Sequence, residues 1–315
     1  MPEKTSTRVA YGEALAECGA NKNIVVFDAD LSICTMSCIF RDKYPKRFFE
    51  AGIAEANMIG MAAGVATTGK IVFCNSFAMF TAGRAYDQIR NSIAYPHLNV
   101  KIIGTHAGLS AGEDGPTHQC VEDLALMRAI PGMTVICPSD TNETKAAVNA
   151  VIKYNGPCYL RLGRLPVDPV TNNKEDYHFK IGKGVLMCQG RDVTLIATGI
   201  MVQEAMKAAK LLQADNISAR VIDMHTIKPI DQEIILKAAI ETGAIVTAEE
   251  HNILGGLGGA VAEVVAEVNP VPVLRVGVND RFGHSGPALK LMERYGLTAE
   301  HISKQAKIAI KMKKA

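Results

Sequence analysis

The sequence predicts an α/β protein built from two wound domains, each a mostly parallel sheet flanked by helices. Short apolar runs alternate along the chain with helix-length amphipathic segments, which is the pattern of parallel β-α-β architecture. At 315 residues the chain is too long for one ordinary hydrophobic core. Hydrophobic residues make up 48% of it, enough material for two buried sheets. We expect a first domain over residues 1–165, a linker over 166–185 and a second domain over 186–315.

The first domain contains five short apolar runs that are predicted strands: residues 23–27, 71–74, 100–104, 134–137 and 158–162. Between them we expect helices over residues 8–18, 55–67, 81–93 and 141–154. The helix over 55–67 is rich in Ala, Met and Gly, which indicates burial on several faces. The polar, proline-containing stretch 165–176 is the expected interdomain linker.

The second domain repeats the alternation of strands and helices. Strands are predicted over residues 192–197, 219–222, 244–248 and 273–276, helices over 202–212, 232–242 and 258–268, and the chain ends in helix. The glycine cluster over residues 255–259 suggests either a dinucleotide-binding loop or close packing of a helix on the sheet. It lacks the GxGxxG spacing and comes late in its domain, so the packing interpretation is favoured.

Composition excludes several classes of protein. The formal net charge of +2 argues against electrostatic binding of nucleic acid, and the basic stretch 304–314 is typical of a solvated terminal helix. The eight cysteines are scattered without a CxxC pair, so neither a disulfide framework nor a metal site is expected. Free thiols and the lack of a recognisable signal peptide predict a cytoplasmic protein, and no apolar run is long enough for a membrane span.

Polar, titratable side chains are concentrated in the segment GEDGPTHQ over residues 112–119. It brings Glu113, Asp114 and His118 into a stretch whose glycines and proline prevent a regular helix. His106 follows the apolar run just upstream. The segment is either a solvated turn or a stiff loop that binds a hydroxylated, charged substrate.

Glu55 is a second candidate, because it begins an otherwise apolar helix where a charge is costly unless it is used. The other interpretation is a helix N-terminal carboxylate favoured by the helix dipole.

Four segments in this order resemble transketolases: GIAEANM (52–58), NSFAMF (75–80), GEDGPTHQ (112–119) and DRFGHSG (280–286). The resemblance covers essentially the whole chain but only the second half of a full transketolase. It implies a pyrimidine-binding domain followed by a transketolase C-terminal domain, as in the C-terminal subunit of a split transketolase. The DGPTHQ loop is also similar to that of deoxyxylulose-5-phosphate synthase, and the GIxE helix start to that of 2-oxo-acid dehydrogenase beta subunits.

The resemblance implies thiamine diphosphate as cofactor. Glu55 would then hydrogen-bond N1′ of the thiamine pyrimidine and favour the imino tautomer that removes the C2 proton. For this role the carboxyl needs a proton near neutral pH, for which we expect apolar burial to be the means. Phe80 would stack on the pyrimidine with Phe77 nearby, although core packing is an alternative for both. Asp30 and Leu31 match an Asp-Leu pair beside the thiamine.

The resemblance also implies residues that contact the sugar. His118, which we count with Glu55 as catalytic, would contact donor hydroxyls, Asp114 would bind a hydroxyl next to the reacting carbon, and His106 would lie near the phosphate. Two arginines follow the last strand, and guanidinium groups bind phosphates bidentately. They could equally form surface ion pairs. The candidates for contacts with the substrate are therefore His106, Asp114, His118, Arg161 and Arg164, with Arg84 a weaker one.

A partner polypeptide is implied as well. Transketolases hold Mg²⁺ through a GDG-to-Asn segment, and this sequence contains no GDG. No metal ligand is therefore expected in this chain, and an N-terminal-half subunit would hold the diphosphate and Mg²⁺. We expect this chain to form a homodimer core and, with that partner, a heterotetramer. The chain alone would be inactive.

The sequence departs from single-chain transketolases in and around the phosphate-binding end. Ala54 and Ala56 flank Glu55 where Arg and His are usual, and Cys34 lies near the position of a usual serine. The identity of the substrate is therefore left open. The function expected is transfer of a two-carbon ketol unit from a ketose phosphate to an aldose phosphate. The alternatives are a subunit of another thiamine-dependent carboligase, deoxyxylulose-phosphate-synthase-like or 2-oxo-acid-dehydrogenase-like, and a non-catalytic transketolase-like protein.

Overall fold

The computed structural model describes residues 4–171 and 177–313. Its strands are β1 (Thr5–Ser6), β2 (Ile24–Asp28), β3 (Phe48–Glu50), β4 (Ile71–Phe77), β5 (Val100–Thr105), β6 (Thr134–Ile136), β7 (Cys158–Arg161), β8 (Pro166–Val167), β9 (Val185–Cys188), β10 (Val193–Ala197), β11 (Ala219–Asp223), β12 (Thr226–Lys228), β13 (Ile245–Asn252) and β14 (Val273–Val278). Its α-helices are α1 (Thr7–Cys18), α2 (Ser32–Thr35), α3 (Cys38–Lys43), α4 (Glu55–Ala66), α5 (Tyr86–Gln88), α6 (Asp123–Ala129), α7 (Thr141–Lys153), α8 (Met201–Ala214), α9 (Gln232–Thr242), α10 (Leu257–Val268), α11 (Ala288–Arg294) and α12 (Ala299–Lys311).

The predicted fold class is confirmed. One sheet has the order β12-β6-β7-β5-β4-β2-β3 and the other the order β14-β13-β10-β11-β9. Within these two sheets, all pairings among the described strands are parallel except those of the edge strands β12 and β9. Helices cover both faces of the first sheet, so β2 and β5 are buried along their whole length. That burial explains why these strands read as continuous apolar runs.

The first sheet is completed by a strand from the second half of the chain. In β12, Thr226 pairs with Ile136 and Lys228 with Val135, antiparallel to β6. The Lys228 ammonium donates to the carbonyls of Arg128 (2.8 Å) and Ile130 (2.6 Å). Sequence patterning did not predict this strand, because three residues are too few to show an alternation.

The predicted linker contains two short pieces of strand. β8, at its start, pairs antiparallel with β1, and Val185, at its end, opens β9. Residues 172–176 of the predicted linker lie outside the described residues. The boundaries proposed for the two domains stay a prediction.

Two predicted elements differ in length or type. β13 extends beyond the predicted 244–248 into Glu249, Glu250 and His251, all of which are buried. Because these residues are polar, the predicted strand ended before them. In the fold their side chains are hydrogen-bonded within the protein, so the strand continues. The helix predicted over 81–93 is instead two π-helical segments, Met79–Arg84 and Ile89–Ala94, on either side of the single turn α5.

In the glycine cluster at the start of α10, the backbone N–H groups that could bind a dinucleotide phosphate are already used by a side chain of the protein. The backbone N–H groups of Leu257 and Gly258 donate to the Glu249 carboxylate at 2.7 and 2.8 Å. A Cβ at Gly258 would lie 2.8 Å from the Arg275 Cγ. The cluster therefore allows close packing of the helix on the sheet, as the spacing indicated.

Seven of the cysteines are free thiols: Cys18, Cys34, Cys38, Cys74, Cys120, Cys137 and Cys158. Among the described residues, no helix has both the length and the apolar character that a bilayer crossing requires.

Candidate active site

Most of the predicted site residues lie at one edge of the first sheet. The strands β2, β4, β5 and β7 are parallel neighbours, so their carboxyl ends meet at the same edge. Asp30 follows β2, Phe80 follows β4, His106 follows β5 and Arg164 follows β7. The topology thus brings together side chains that are far apart in sequence.

Glu55 is the first residue of α4, and its side chain is only 2% exposed. Both of its carboxylate oxygens lie 2.9 Å from Nη1 of Arg84. The carboxyl is thus buried, but its surroundings differ from the purely apolar ones that we expected, because a guanidinium faces it. The Arg84 side chain, 51% exposed, also covers the Phe80 ring, with Cζ 4.5 Å from the ring centroid.

Four aromatic rings continue from this ion pair. Phe80 stacks on Phe77 at 5.9 Å between centroids, and His118 meets Phe80 edge-on at 5.2 Å. Phe77 is buried and lies 4.0 Å from the ring of His106. Phe80 is the more open of the two phenylalanines. The structure therefore gives Phe77 the core position and leaves Phe80 half-buried under Arg84, which also contacts Glu55.

His106 is a buried, neutral imidazole. Burial, and then the neighbouring Arg8 and Arg164 cations, lower the pKa of His106 to about 3. Arg8 Nη1 lies 3.4 Å from its Nε2, and Thr105 Oγ1 lies 3.0 Å from its Nδ1. Because an arginine can only donate, Nε2 is the acceptor and Nδ1 carries the proton that is donated to Thr105.

Arg8 is a site residue that the sequence analysis missed. It lies in the first turn of α1, where Nη1 donates to the Cys34 carbonyl at 2.7 Å. Its Nε is buried and makes no hydrogen bond to any of the described residues. The signal in the sequence that could have identified it is a single arginine in the otherwise uncharged first turn of this helix.

A 3-10 segment over Leu109–Asp114 leads into the GEDGPTHQ loop. Asp114 is exposed and His118 is half-buried, with its Nδ1 2.9 Å from Thr117 Oγ1. Arg164 Nη1 donates to the Ala111 carbonyl at 2.6 Å and to the Glu113 carboxylate at 3.0 Å. Arg164 thereby stays on the open side of the sheet edge, next to the loop.

Asp30 and Leu31 form a turn that is held from below. Asp30 has a left-handed backbone with φ of 62°, and its N–H donates to Glu50 at 2.6 Å. The Leu31 N–H donates to Asp28 at 2.7 Å. Burial raises the pKa of Asp28 to about 6 even though Thr35 and other donors oppose the shift. Asp28 is a supporting residue that the sequence did not single out, since it ends an apolar strand.

Arg161 does not join the site. Its guanidinium is 5% exposed, and Nε donates to the Asp123 carboxylate at 2.8 Å. Nη2 donates to the Glu250 carbonyl at 2.8 Å. Arg161 therefore forms a buried ion pair with Asp123 inside the first half of the chain and a hydrogen bond to the second half, and this burial argues against its assignment as a residue that contacts substrate.

Two domain families match the chain in tandem: the transketolase pyrimidine binding domain over residues 3–168 and the transketolase C-terminal domain over residues 182–302. The chain belongs to the transketolase family.

Two relatives and a solved structure resemble this transketolase chain over almost its whole length. A putative transketolase C-terminal section from Methanocaldococcus jannaschii is 52% identical over 95% of this chain and 94% of its own. The 6-deoxy-6-sulfo-D-fructose transketolase subunit SqwH of a Clostridium species is 46% identical over 90% of this chain and 87% of its own. A split-gene transketolase, solved as an inactive beta4 tetramer, has a TM-score of 0.90 and 49% identity, covering 99% of this chain and 100% of that one.

Transketolases depend on thiamine diphosphate, and one observation indicates that these residues fit its pyrimidine ring. The Arg84 guanidinium, a flat group that carries nitrogen, already lies over Phe80 while it donates to Glu55. A planar aminopyrimidine has the same requirements, an aromatic face and a carboxyl at its edge. Within residues 4–171 and 177–313 no three His, Cys, Asp or Glu side chains are grouped so as to hold a metal ion.

Proposed function

We propose that this chain is the C-terminal subunit of a two-subunit, thiamine-diphosphate-dependent transketolase of the cytoplasm. It would transfer a two-carbon ketol unit from a ketose phosphate to an aldose phosphate. The observation that carries the proposal is the buried Glu55 carboxyl, held at the start of α4 and joined through Arg84 to the half-buried ring of Phe80.

Thiamine diphosphate, when bound, supplies the nucleophilic carbon that accepts the ketol unit. Glu55 would hold the aminopyrimidine by a hydrogen bond at its ring nitrogen, and Phe80 would support the face of that ring. Arg84 contacts both residues and would have to release Glu55 for this purpose. Asp30 and Leu31, on the turn fixed by Asp28, would line the neighbouring part of the cofactor site.

The sugar would extend from there past the two histidines towards the arginines. His118 and Asp114, on the loop, would contact donor hydroxyls. His106 is neutral and fixed in one tautomer by Arg8, so it would act as a hydrogen-bonding group rather than as a charge. Arg8 and Arg164 place two guanidinium groups near it, and they suit a phosphate at the end of the substrate.

A second polypeptide would provide the diphosphate and Mg²⁺ site. Support comes from the split-gene transketolase, which is 49% identical and was solved as an inactive tetramer of its beta chain. We expect this chain to form a homodimer core, and a heterotetramer with an N-terminal-half partner.

The test is reconstitution with the N-terminal-half polypeptide from the same organism. Xylulose 5-phosphate would be the donor and ribose 5-phosphate the acceptor, with thiamine diphosphate and Mg²⁺ present. We expect no turnover from either chain alone, turnover from the mixture, and at least a hundredfold loss with Glu55→Gln at unchanged assembly. Turnover from the lone chain would refute the need for a partner.

The same assay separates the alternatives. A preference for pyruvate or another 2-oxo acid as donor would make this chain a subunit of a different carboligase. Assembly without turnover on any of these donors would make it a non-catalytic transketolase-like protein. The SqwH relative adds 6-deoxy-6-sulfo-D-fructose as a further donor to include, since a sulfonate is also an anion.

A further inference from the structure

The second half of the chain packs directly against the GEDGPTHQ loop. Gly112 and Gly115 have φ of 76° and 78° and lie against the segment that contains Ser285 and Gly286. The hydroxyl of Ser285 donates to the Glu113 carbonyl at 2.6 Å. This loop also carries Asp114 and His118, so the contact reaches the residues proposed to bind the sugar.

Gln119 links the two sides of this contact. Its side chain is buried, and Nε2 donates to the carbonyl of Gly112 at 3.0 Å within the loop and to that of His284 at 2.8 Å in the second half of the chain. Its Oε1 is buried and accepts no hydrogen bond from the described residues. That oxygen lies where a Cβ on Gly283 would be. Gly283 therefore has no room for a side chain as long as Gln119 keeps this position.

Glu250 holds the start of the loop from the same direction. Its buried carboxyl accepts the backbone N–H of Ser110 and, at 3.2 Å, the Ser110 hydroxyl. A Cβ on Gly108 would overlap with the Glu250 carboxyl, so the backbone of the loop lies directly on this group. The residues that lead into the loop are thus held by Glu250 of β13, and the loop itself by the 280–286 segment.

We propose that Gln119 and Glu250 are positioning residues through which the C-terminal domain sets the geometry of the substrate loop. Among the described residues, the side-chain hydrogen bonds of Gln119 and Glu250 go to the loop, to Leu109 and Ser110 before it and to His284, and none goes to a residue proposed to bind cofactor or sugar. They act by fixing the backbone on which Asp114 and His118 are mounted. The inference rests on the proposed function insofar as the loop binds substrate, whereas the contacts themselves can be tested without activity.

The test uses two glycines of the 280–286 segment that differ in the space around them. Neither has a left-handed φ, so alanine fits the backbone at both positions. In Gly283→Ala the new methyl group would displace the Gln119 amide and would lie 2.8 Å from Leu109 Cδ2. In the matched control, Gly286→Ala, the nearest atom is Leu291 Cδ2 at an ordinary 3.6 Å. Gln119→Met removes the donor while it keeps most of the side-chain volume.

Two measurements decide the proposal. The first is amide hydrogen exchange of residues 109–119 in the lone chain, where we expect about tenfold faster exchange in Gly283→Ala and Gln119→Met and no change in Gly286→Ala. The second is steady-state kinetics of the reconstituted enzyme, where we expect the donor KM to rise about tenfold with a smaller change in kcat.

Unchanged exchange in both Gly283→Ala and Gln119→Met would overturn the proposal, and so would faster exchange with an unchanged donor KM. A uniform fall in kcat with constant KM, following lost thermal stability, would indicate only a structural contact and would also overturn it. If the reconstituted wild type shows no transketolase activity, the proposed function fails. If hydrogen exchange in the variants is then also unchanged, the positioning role of Gln119 is refuted too. If exchange is faster, the C-terminal domain positions the loop, but for a ligand other than a transketolase substrate.

Discussion

One nitrogen of Arg84, Nη1, donates to both carboxylate oxygens of Glu55 at 2.9 Å. A guanidinium and a carboxylate bind more strongly when two nitrogens meet two oxygens in parallel. The shared nitrogen and the half-exposed Arg84 side chain therefore make an ion pair that satisfies Glu55 in the lone chain and can open to admit another planar partner.

Arg84→Met would leave a buried carboxylate without its partner. We expect the free energy of unfolding of the lone chain to fall by about 2 kcal/mol, measured by urea denaturation. Arg90→Met, which changes an exposed arginine of the next π-helical segment, should alter it by less than about 0.5 kcal/mol. In a Glu55→Gln background the effect of Arg84→Met should largely vanish, and an undiminished effect would exclude the ion pair as its cause.

Phe77 and Phe80 should separate stability from binding of the cofactor. Phe77→Ala removes a buried ring and should cost about 3 kcal/mol of unfolding free energy. Phe80→Ala removes a more open ring and should cost about 1 kcal/mol, while it weakens binding of thiamine diphosphate to the reconstituted enzyme at least tenfold. Denaturation and calorimetric titration test the two effects. Equal cofactor affinity in Phe80→Ala and wild type would remove Phe80 from the proposed site.

Arg161 and Arg164 should also respond in opposite ways. Arg161→Met leaves the buried Asp123 carboxylate unpaired and should lower the unfolding free energy by about 3 kcal/mol. Arg164→Met should change stability little and raise the KM of phosphorylated sugars about tenfold. A raised KM in a stably folded Arg161→Met enzyme would restore Arg161 as a residue that contacts substrate.

The burial of Glu250 should make the free energy of unfolding depend on pH. Burial raises the pKa of Glu250 to about 7 in the folded protein, against about 4.5 for an unperturbed glutamate, although Arg161 and Ser110 oppose the shift. The folded state therefore binds more protons than the unfolded state between these values, so this contribution to stability is complete below about pH 4.5 and is lost as the pH rises through about 7.

Urea denaturation from pH 4.5 to 7.5 would measure it. Relative to wild type, Glu250→Gln should show a smaller loss of stability as the pH rises. The exposed Glu267→Gln should follow the wild-type curve. Parallel curves for wild type and Glu250→Gln would show that this carboxyl does not titrate in the folded protein within that window.

The parallel strands and the elements between them were predictable because wholly buried strands such as β2 carry an unbroken apolar run. At the sheet edge, the loop over residues 112–119 and Glu55 stood out by residue type, whereas Phe80, Asp30 and Leu31 were implied only by the resemblance to transketolases. Arg161 and Arg164 show the limit. Arg161 ends β7 and Arg164 follows it three residues later, and only the position of Asp123, the first residue of α6, assigns Arg161 to the interior.

Long-range packing also determines the other differences. The polar end of β13 is buried because two sets of donors provide its partners: Ser110, 140 residues away in sequence, and the N–H groups at the start of α10, which the fold turns back onto the strand. The π-helical geometry around Phe80 and Arg84 has no signature in the residue pattern, since π- and α-helices share their apolar faces over so short a span.

Because β12, from the second half of the chain, is a strand of the first sheet, the two halves do not fold as independent units. A protease that cut the connection near residue 170 would leave two fragments still held by the β12–β6 ladder and by the hydrogen bond from Arg161 to the Glu250 carbonyl. If each half were produced by itself, the first would expose the unpaired edge of β6 and the second the unpaired strand β12, and we expect both to aggregate.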